Sequence, residues 1–333
     1  MKRILFVYQR LSSFVRFDRE ILDKEYELVD FEFPLRDPST GERSYRWIIK
    51  RSMQMRKEMK GVEGTYIWFG DIPTAAAVFW ARRYGVKSIV VAGGYGAAYM
   101  DDVKYGLQKH LVRGRFPKYA FNNADLVLSV SERMREDLLR FTKPRREAIV
   151  YNGINTADYR PGPKEDKVLT VGDITELTRW KKGIETFVRA AEHLPDVPFI
   201  IVGGAEKDQD IPLKEIASDN VTFTGSVPFD ELLHQFQTSK VYVQVSAYES
   251  FGYAPAEAML CHCVPVVTKR GALPEVVGDA GIYVPYGDPR ATAKGIEKAL
   301  RSDLGPKARE RILEKFPLEK RRDRILEEVA QVM

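Results

Sequence analysis

Two series of short apolar runs, separated by helix-length amphipathic stretches, constrain this chain more than any other feature. The first series is ILFVY near residue 4, TYIWFG near 65, SIVVAGG near 88, LVLSVS near 126 and AIVYNG near 148. The second is VLTVGD near 168, FIIVGG near 199, VTFTGS near 221, VYVQVS near 241, VPVVT near 264 and GIYVP near 281. A strand that is apolar at consecutive positions has no solvent face, and helices between such strands supply the cover on both sides. The pattern predicts an α/β chain with two doubly wound, Rossmann-like parallel sheets. A length of 333 residues, about twice a usual domain, agrees with two cores. The break is expected in DYRPGPKED, Asp158 to Asp166, where Pro161, Gly162 and Pro163 interrupt regular structure. The expected division is therefore 1–160, 161–315 and a charged terminal helix over 316–333.

Bulk properties narrow the function classes. Hydrophobic residues make up 44% and charged residues 30%, an ordinary soluble composition, and no apolar run reaches the roughly 20 residues a bilayer span needs. Ile4 to Tyr8 is too short for a secretory signal core, so a cytoplasmic protein is expected. Cys261 and Cys263, flanking His262, lack the ligand number and spacing of a zinc site, and the two cysteines read as small buried side chains at a helix end. Charge is unevenly shared: residues 1–160 hold 29 Lys and Arg against 20 Asp and Glu, and residues 161–333 hold 23 against 27. The basic first half points to an anionic partner, either a membrane surface or an anionic glycan; no nucleic-acid module is visible, and no nucleic acid is expected.

The segment Ser246 to Val284 carries the chemistry. Glu249 falls where the strand-like run VYVQVS ends, and Glu257 lies one turn inside a helix that Pro255 opens. Between them Gly252 permits close backbone approach, and the N–H groups from Ser250 through Phe251 and Tyr253 to Ala254 form the positive end of that helix, suited to phosphate. An anion cradle between two carboxylates that accept hydroxyl hydrogen bonds fits a nucleotide sugar. Taken singly, each Glu reads better as a capping or solvated acid; the context turns the reading.

The ordered set Glu249-Ser-Phe-Gly252, Glu257-Ala-Met, Val264-Pro-Val-Val and Pro274-Glu-Val-Val resembles the donor-binding element of retaining GT-B glycosyltransferases, most closely family 4, whose signature is a Glu pair separated by seven residues. Upstream, ADLVLSVSE from Ala124 and Tyr151-Asn-Gly-Ile-Asn155 are similar to the family's inter-domain segment. The resemblance implies two doubly wound domains facing across a cleft, a terminal helix crossing back to the first domain, and sugar transfer from a nucleotide diphosphate to a glycan, lipid or small-molecule acceptor. It implies no cofactor and no metal, the nucleotide sugar being a co-substrate. It assigns Glu257 to the ribose hydroxyls and Glu249 to the transferred sugar, and it matches Lys182, which precedes Gly183, to the phosphate-binding lysine. Where the family has Arg after Gly172 this chain has Asp173; either Arg179 replaces it or that role is lost. Gly203 and Gly204 read either as a close approach to ligand or as a sharp turn, and Thr224 to Val227 matches the region facing the base.

Departures are concentrated in the first half. The strand ending at Val90-Val-Ala-Gly93-Gly94-Tyr95 lacks the family's histidine, so Gly93, Gly94 and Tyr95, with His110, are the candidates for the acceptor side; a plain turn and a surface histidine are the alternatives. The glycine-rich first loop is absent as well. RSYRWIIKRSMQMRKEMK, Arg43 to Lys60, mixes cations with Trp47, Ile48, Ile49, Met53 and Met55. It is either a helix lying on an anionic bilayer or one whose apolar stripe covers the sheet. Arg113, Arg115 and Lys118 form a second basic patch. A non-catalytic sugar-nucleotide or glycan-binding scaffold is the main rival reading; a dinucleotide-dependent oxidoreductase is disfavoured because no G-x-G-x-x-G follows an early strand.

Overall fold

A computed structural model describes residues 1–38, 40–100, 102 and 105–333. The chain divides into two compact units, Met1–Gly153 with Glu319–Met333, and Ile154–Leu318. The first unit runs β1 (Arg3–Tyr8), α1 (Ser13–Leu22), β2 (Glu27–Glu32), α2 (Tyr45–Glu58), β3 (Gly64–Trp68), α3 (Ile72–Tyr84), β4 (Lys87–Ala92), α4 (Arg115–Asn123), β5 (Leu126–Ser129), α5 (Glu132–Leu139) and β6 (Glu147–Ile149). The second runs β7 (Glu165–Val171), α6 (Glu176–Lys181), α7 (Ile184–Ala191), β8 (Phe199–Val202), α8 (Ile211–Lys214), β9 (Val221–Gly225), α9 (Phe229–Thr238), β10 (Ser239–Gln244), α10 (Tyr253–Leu260), β11 (Val264–Thr268), α11 (Leu273–Val277), β12 (Ile282–Val284), α12 (Pro289–Leu300) and α13 (Gly305–Lys315). From Glu319 onward α14 (Leu318–Ala330) belongs to the first unit.

Each unit holds one six-stranded sheet, ordered β2-β1-β3-β4-β5-β6 and β12-β11-β10-β7-β8-β9, with every strand pair parallel. The apolar runs fill the middle of both sheets, and β3, β5 and β11 are buried at every position. The polar strand β2, ELVDFE, was not expected. It is an edge strand with a mostly exposed or half-buried pattern, so it carries no continuous apolar run.

In the first unit a buried ion pair anchors the last helix. Arg321 donates from Nε and Nη2 to both oxygens of Asp18 at 2.6 and 2.7 Å and from Nη1 to the carbonyls of Val150 and Tyr151 at 2.9 Å. The Tyr66 hydroxyl donates to Asp18 at 2.8 Å. Two charges withdrawn from water are tolerable here because each is matched by several hydrogen bonds.

In the second unit β7 and β10 lie side by side, yet β7 continues to β8 on one side and β10 to β11 on the other. Strand order reverses at this pair, and the connections leaving the two carboxyl ends diverge to open a crevice. The elements carrying the Glu pair and the lysine both begin there.

Candidate functional site

Two connections build the crevice of the second unit. After β7 the chain passes Gly172 and Asp173, and Thr175 caps α6 by accepting the Thr178 N–H at 3.1 Å. After β10 it turns through Val245 to Gly252 into α10. A hydrogen bond from the Ala247 N–H to the Lys181 carbonyl, at 2.7 Å, stitches the connections together. Gly183 makes the fit possible: its φ is +71°, and a Cβ there would stand 2.3 Å from the Val245 carbonyl oxygen. Gly183 is thus a packing requirement, and the Lys182 side chain next to it lies over the end of β7.

Glu249 is fixed through one oxygen. Gln244 Nε2 and Ser246 Oγ donate to its Oε1 at 2.7 and 3.1 Å, and Gln244 accepts from the buried Tyr242 hydroxyl at 2.8 Å. Oε2 has no hydrogen-bond partner among the described residues, so the carboxylate is oriented yet retains an acceptor for a ligand. Behind it, the Ala272 N–H donates to the Glu249 carbonyl at 2.8 Å.

Glu257 is half-buried on α10. Burial pushes its carboxyl above the usual range, against the Tyr159 hydroxyl that donates to it and the nearby Lys182 charge. Burial, and then the charges of Glu249 and Glu257, hold the Tyr242 phenol protonated. These side chains therefore share one electrostatic environment.

The cations are underused. Lys182 Nζ makes a single long hydrogen bond, 3.4 Å to the Val171 carbonyl, and its chain lies over Gly172, where a Cβ would be 2.6 Å from Nζ. Half-buried Arg179 on α6 has an Nε with no hydrogen-bond partner among the described residues. Neither forms an ion pair among the described residues. Asp173 does not meet these cations: its Oδ1 accepts the Gly204 N–H at 3.2 Å, clipping the loop after β7 to the loop after β8. Gly203, with φ +155°, presses so closely on Gly172 that a Cβ would be 2.2 Å from its carbonyl oxygen. Gly204 abuts Ser226, which brings the loop holding half-buried Val227 against the same connection.

At the start of α10, Gly252 adopts φ +110° and Pro255 sits in the first turn, where its missing N–H costs nothing. Ser250 and Tyr253 are half-buried on either side. Phe251, expected to serve through its backbone N–H, keeps its side chain packed away. It is 2% exposed and stands edge-on to Phe316 and Tyr253, so only its backbone faces the turn.

In the first unit, Gly93 lies against the Trp68 ring and Gly94 against Phe69. The Tyr95 hydroxyl is 3.0 Å from Nε2 of exposed His110, so these two candidates are joined. Cys261 and Cys263 are buried and unbridged, and burial pushes their thiols up to about 12 and about 11. Among the described residues no three His, Cys, Asp or Glu side chains gather as a metal site would require.

Tyr159, Gln244 and Ser246 were not singled out in the sequence. A glutamine inside the apolar run VYVQVS was a usable signal. Tyr159 had none, since it meets Glu257 only through the fold.

Residues 156–316 match the family described as glycosyl transferases group 1. The chain is 29% identical over 236 residues to alpha-maltose-1-phosphate synthase of Mycolicibacterium smegmatis, covering 59% of this chain and 60% of that protein. Its fold is similar to sucrose-phosphate synthase of Thermosynechococcus elongatus, with a TM-score of 0.79, 19% identity and 99% of both chains covered. It is also similar to Anabaena HepE, solved in complex with UDP and glucose, with a TM-score of 0.75, 15% identity, and 99% of this chain and 100% of that one covered. The chain spans about half to three fifths of the length of the curated relatives first matched. The second unit therefore belongs to the glycosyl transferases group 1 family, in a chain whose two parallel-sheet domains have the GT-B fold.

Proposed function

We propose that this protein is a retaining, metal-independent glycosyltransferase that moves a sugar from a nucleoside diphosphate to a glycan, lipid or small-molecule acceptor. The observation that carries this reading is that the two connections leaving the β7/β10 switch point hold Glu249, oriented through one oxygen, Glu257, close enough to feel the Lys182 charge, and Lys182 and Arg179, which form no ion pair among the described residues.

Glu257 accepts hydrogen bonds from the ribose hydroxyls, and Oε2 of Glu249 accepts from a hydroxyl of the transferred sugar. Lys182, Arg179 and the first-turn amides of α10 face the diphosphate. Transfer breaks the bond from the anomeric carbon to the phosphate oxygen, which leaves with the electron pair. The acceptor oxygen bonds to that carbon from the same face, and its proton passes to the departing phosphate. Negative charge growing on the leaving group is met by cations already in place, which lowers the barrier without reorganisation. Gly203, Gly204 and Val227 border the base and ribose. Acceptor recognition is assigned to Tyr95 and His110, with Gly93 and Gly94 shaping the turn. The HepE complexes with UDP and UDP-glucose support a uridine donor as the first to test.

The test is incubation with a panel of nucleotide sugars and acceptors, with and without a chelator, following nucleoside diphosphate release and the anomeric configuration of the product by proton NMR. Retention that survives the chelator is expected. An inverted product, or activity abolished by the chelator and restored by a divalent metal, would overturn the corresponding part of the proposal.

A further inference from the structure

Three helices of the first unit, α2, α3 and α4, frame an open groove of about 500 Å³ lined by Ile48, Ile49, Met53, Ile72, Phe79 and Phe116 among others. This groove is not core. Ile49 is 63% exposed, Phe79 48% and Met53 43%, and α2 buries only Met55 of its fourteen residues. Leu111 and Val112, three to five residues before Arg115 and Phe116 of the groove wall, are 94% and 70% exposed. A monomer that leaves so many large apolar side chains together in water carries a surface meant to be covered.

The surrounding charge identifies the cover. Among the described residues no Asp or Glu lines the groove, and α2, α3, α4 and the loop 109–114 together hold a single acid, Glu58 at the far end of α2. Arg46, Lys50, Arg115 and Lys118 are exposed and form no ion pair among the described residues. A second copy of the chain pressed on this face would set cation against cation. An anionic bilayer instead neutralises the rim and takes up the apolar groove, while long basic side chains reach the headgroups from stems laid on hydrocarbon.

We propose that this face is a docking surface for an anionic lipid membrane, with Leu111 and Val112 entering the acyl boundary and the α2–α3–α4 groove receiving hydrocarbon. α2 thereby answers to both sequence readings: the Trp47 and Met55 side packs on the protein, where Trp47 Nε1 donates to the Pro34 carbonyl at 2.9 Å, and the Ile49 and Met53 side faces outward. Vesicle binding requires no sugar transfer, so this inference stands apart from the reaction proposed above.

The experiment is flotation of the intact protein with phosphatidylcholine vesicles, with and without phosphatidylglycerol, at low and high salt. Binding is expected with phosphatidylglycerol, weaker by on the order of tenfold without it, and reduced by salt. The exposed double substitution Leu111→Ser with Val112→Ser should weaken binding about tenfold with an unchanged unfolding midpoint, and Lys50→Glu with Arg115→Glu should remove the preference for phosphatidylglycerol. Absence of binding to phosphatidylglycerol vesicles, or binding that both double variants retain in full, would overturn the proposal. So would a dimer in sedimentation that Ile49→Ser abolishes, since a second copy would then be the occupant.

Discussion

Replacing Glu257 with glutamine should separate ligand binding from stability, with effects of opposite sign. The amide keeps the shape and one oxygen to accept from Tyr159, but it loses the negative charge and the second acceptor. Hydrogen bonds to charged groups contribute about 1.5–3 kcal/mol, so the affinity for a nucleoside diphosphate should fall about 10- to 150-fold. The unliganded protein should not suffer, for burial raises the folded-state pKa of Glu257 above its unfolded value. Such a group favours the fold fully below the unfolded pKa, and that contribution is lost as pH rises through the folded one. Above that raised pKa the carboxylate is therefore a cost that the neutral amide would remove. Titration calorimetry gives the affinities and thermal unfolding the stabilities. Wild-type affinity should also weaken as pH falls through the raised pKa, whereas the variant should stay flat there. A variant that binds within about twofold of wild type, or unfolds well below it when unliganded, would refute the reasoning.

Other substitutions probe the remaining supports. Lys182→Ala should lower kcat by about 100- to 1000-fold, as loss of one preorganised group facing developing negative charge does, with KM changed less; steady-state kinetics on a donor accepted by the wild type decide it. Gly183→Ala places a side chain at φ +71° and 2.3 Å from a carbonyl oxygen, and should cost the second unit more than about 1–2 kcal/mol in urea unfolding. Arg321→Ala strands Asp18 without its partner in a buried place, and should destabilise the first unit by about 3–5 kcal/mol by the same measurement.

The central strands were legible because burial on both faces leaves a run such as VPVVT with no polar position. β2 escaped because an edge strand with an exposed face reads as ELVDFE, indistinguishable from a loop. The placement of the Glu pair at a strand end and a helix start was legible through spacing, whereas Lys182 was reached through the family resemblance alone. What spacing cannot show is where a side chain turns once the fold closes. Asp173, where the resemblance implied a cation, proves to clip two loops through the Gly204 N–H. Phe251 sits within the signature yet packs inward on Phe316, far away in sequence. Tyr159 meets Glu257 from a linker that contains no motif.

The most direct measurement is a crystal structure with the nucleoside diphosphate that most raises the unfolding temperature. The account predicts the ribose hydroxyls on Glu257 and the terminal phosphate within hydrogen-bond reach of Lys182 Nζ, at the carboxyl ends of β7 and β10. A nucleotide bound elsewhere, or one seated there with both side chains turned away, would contradict it.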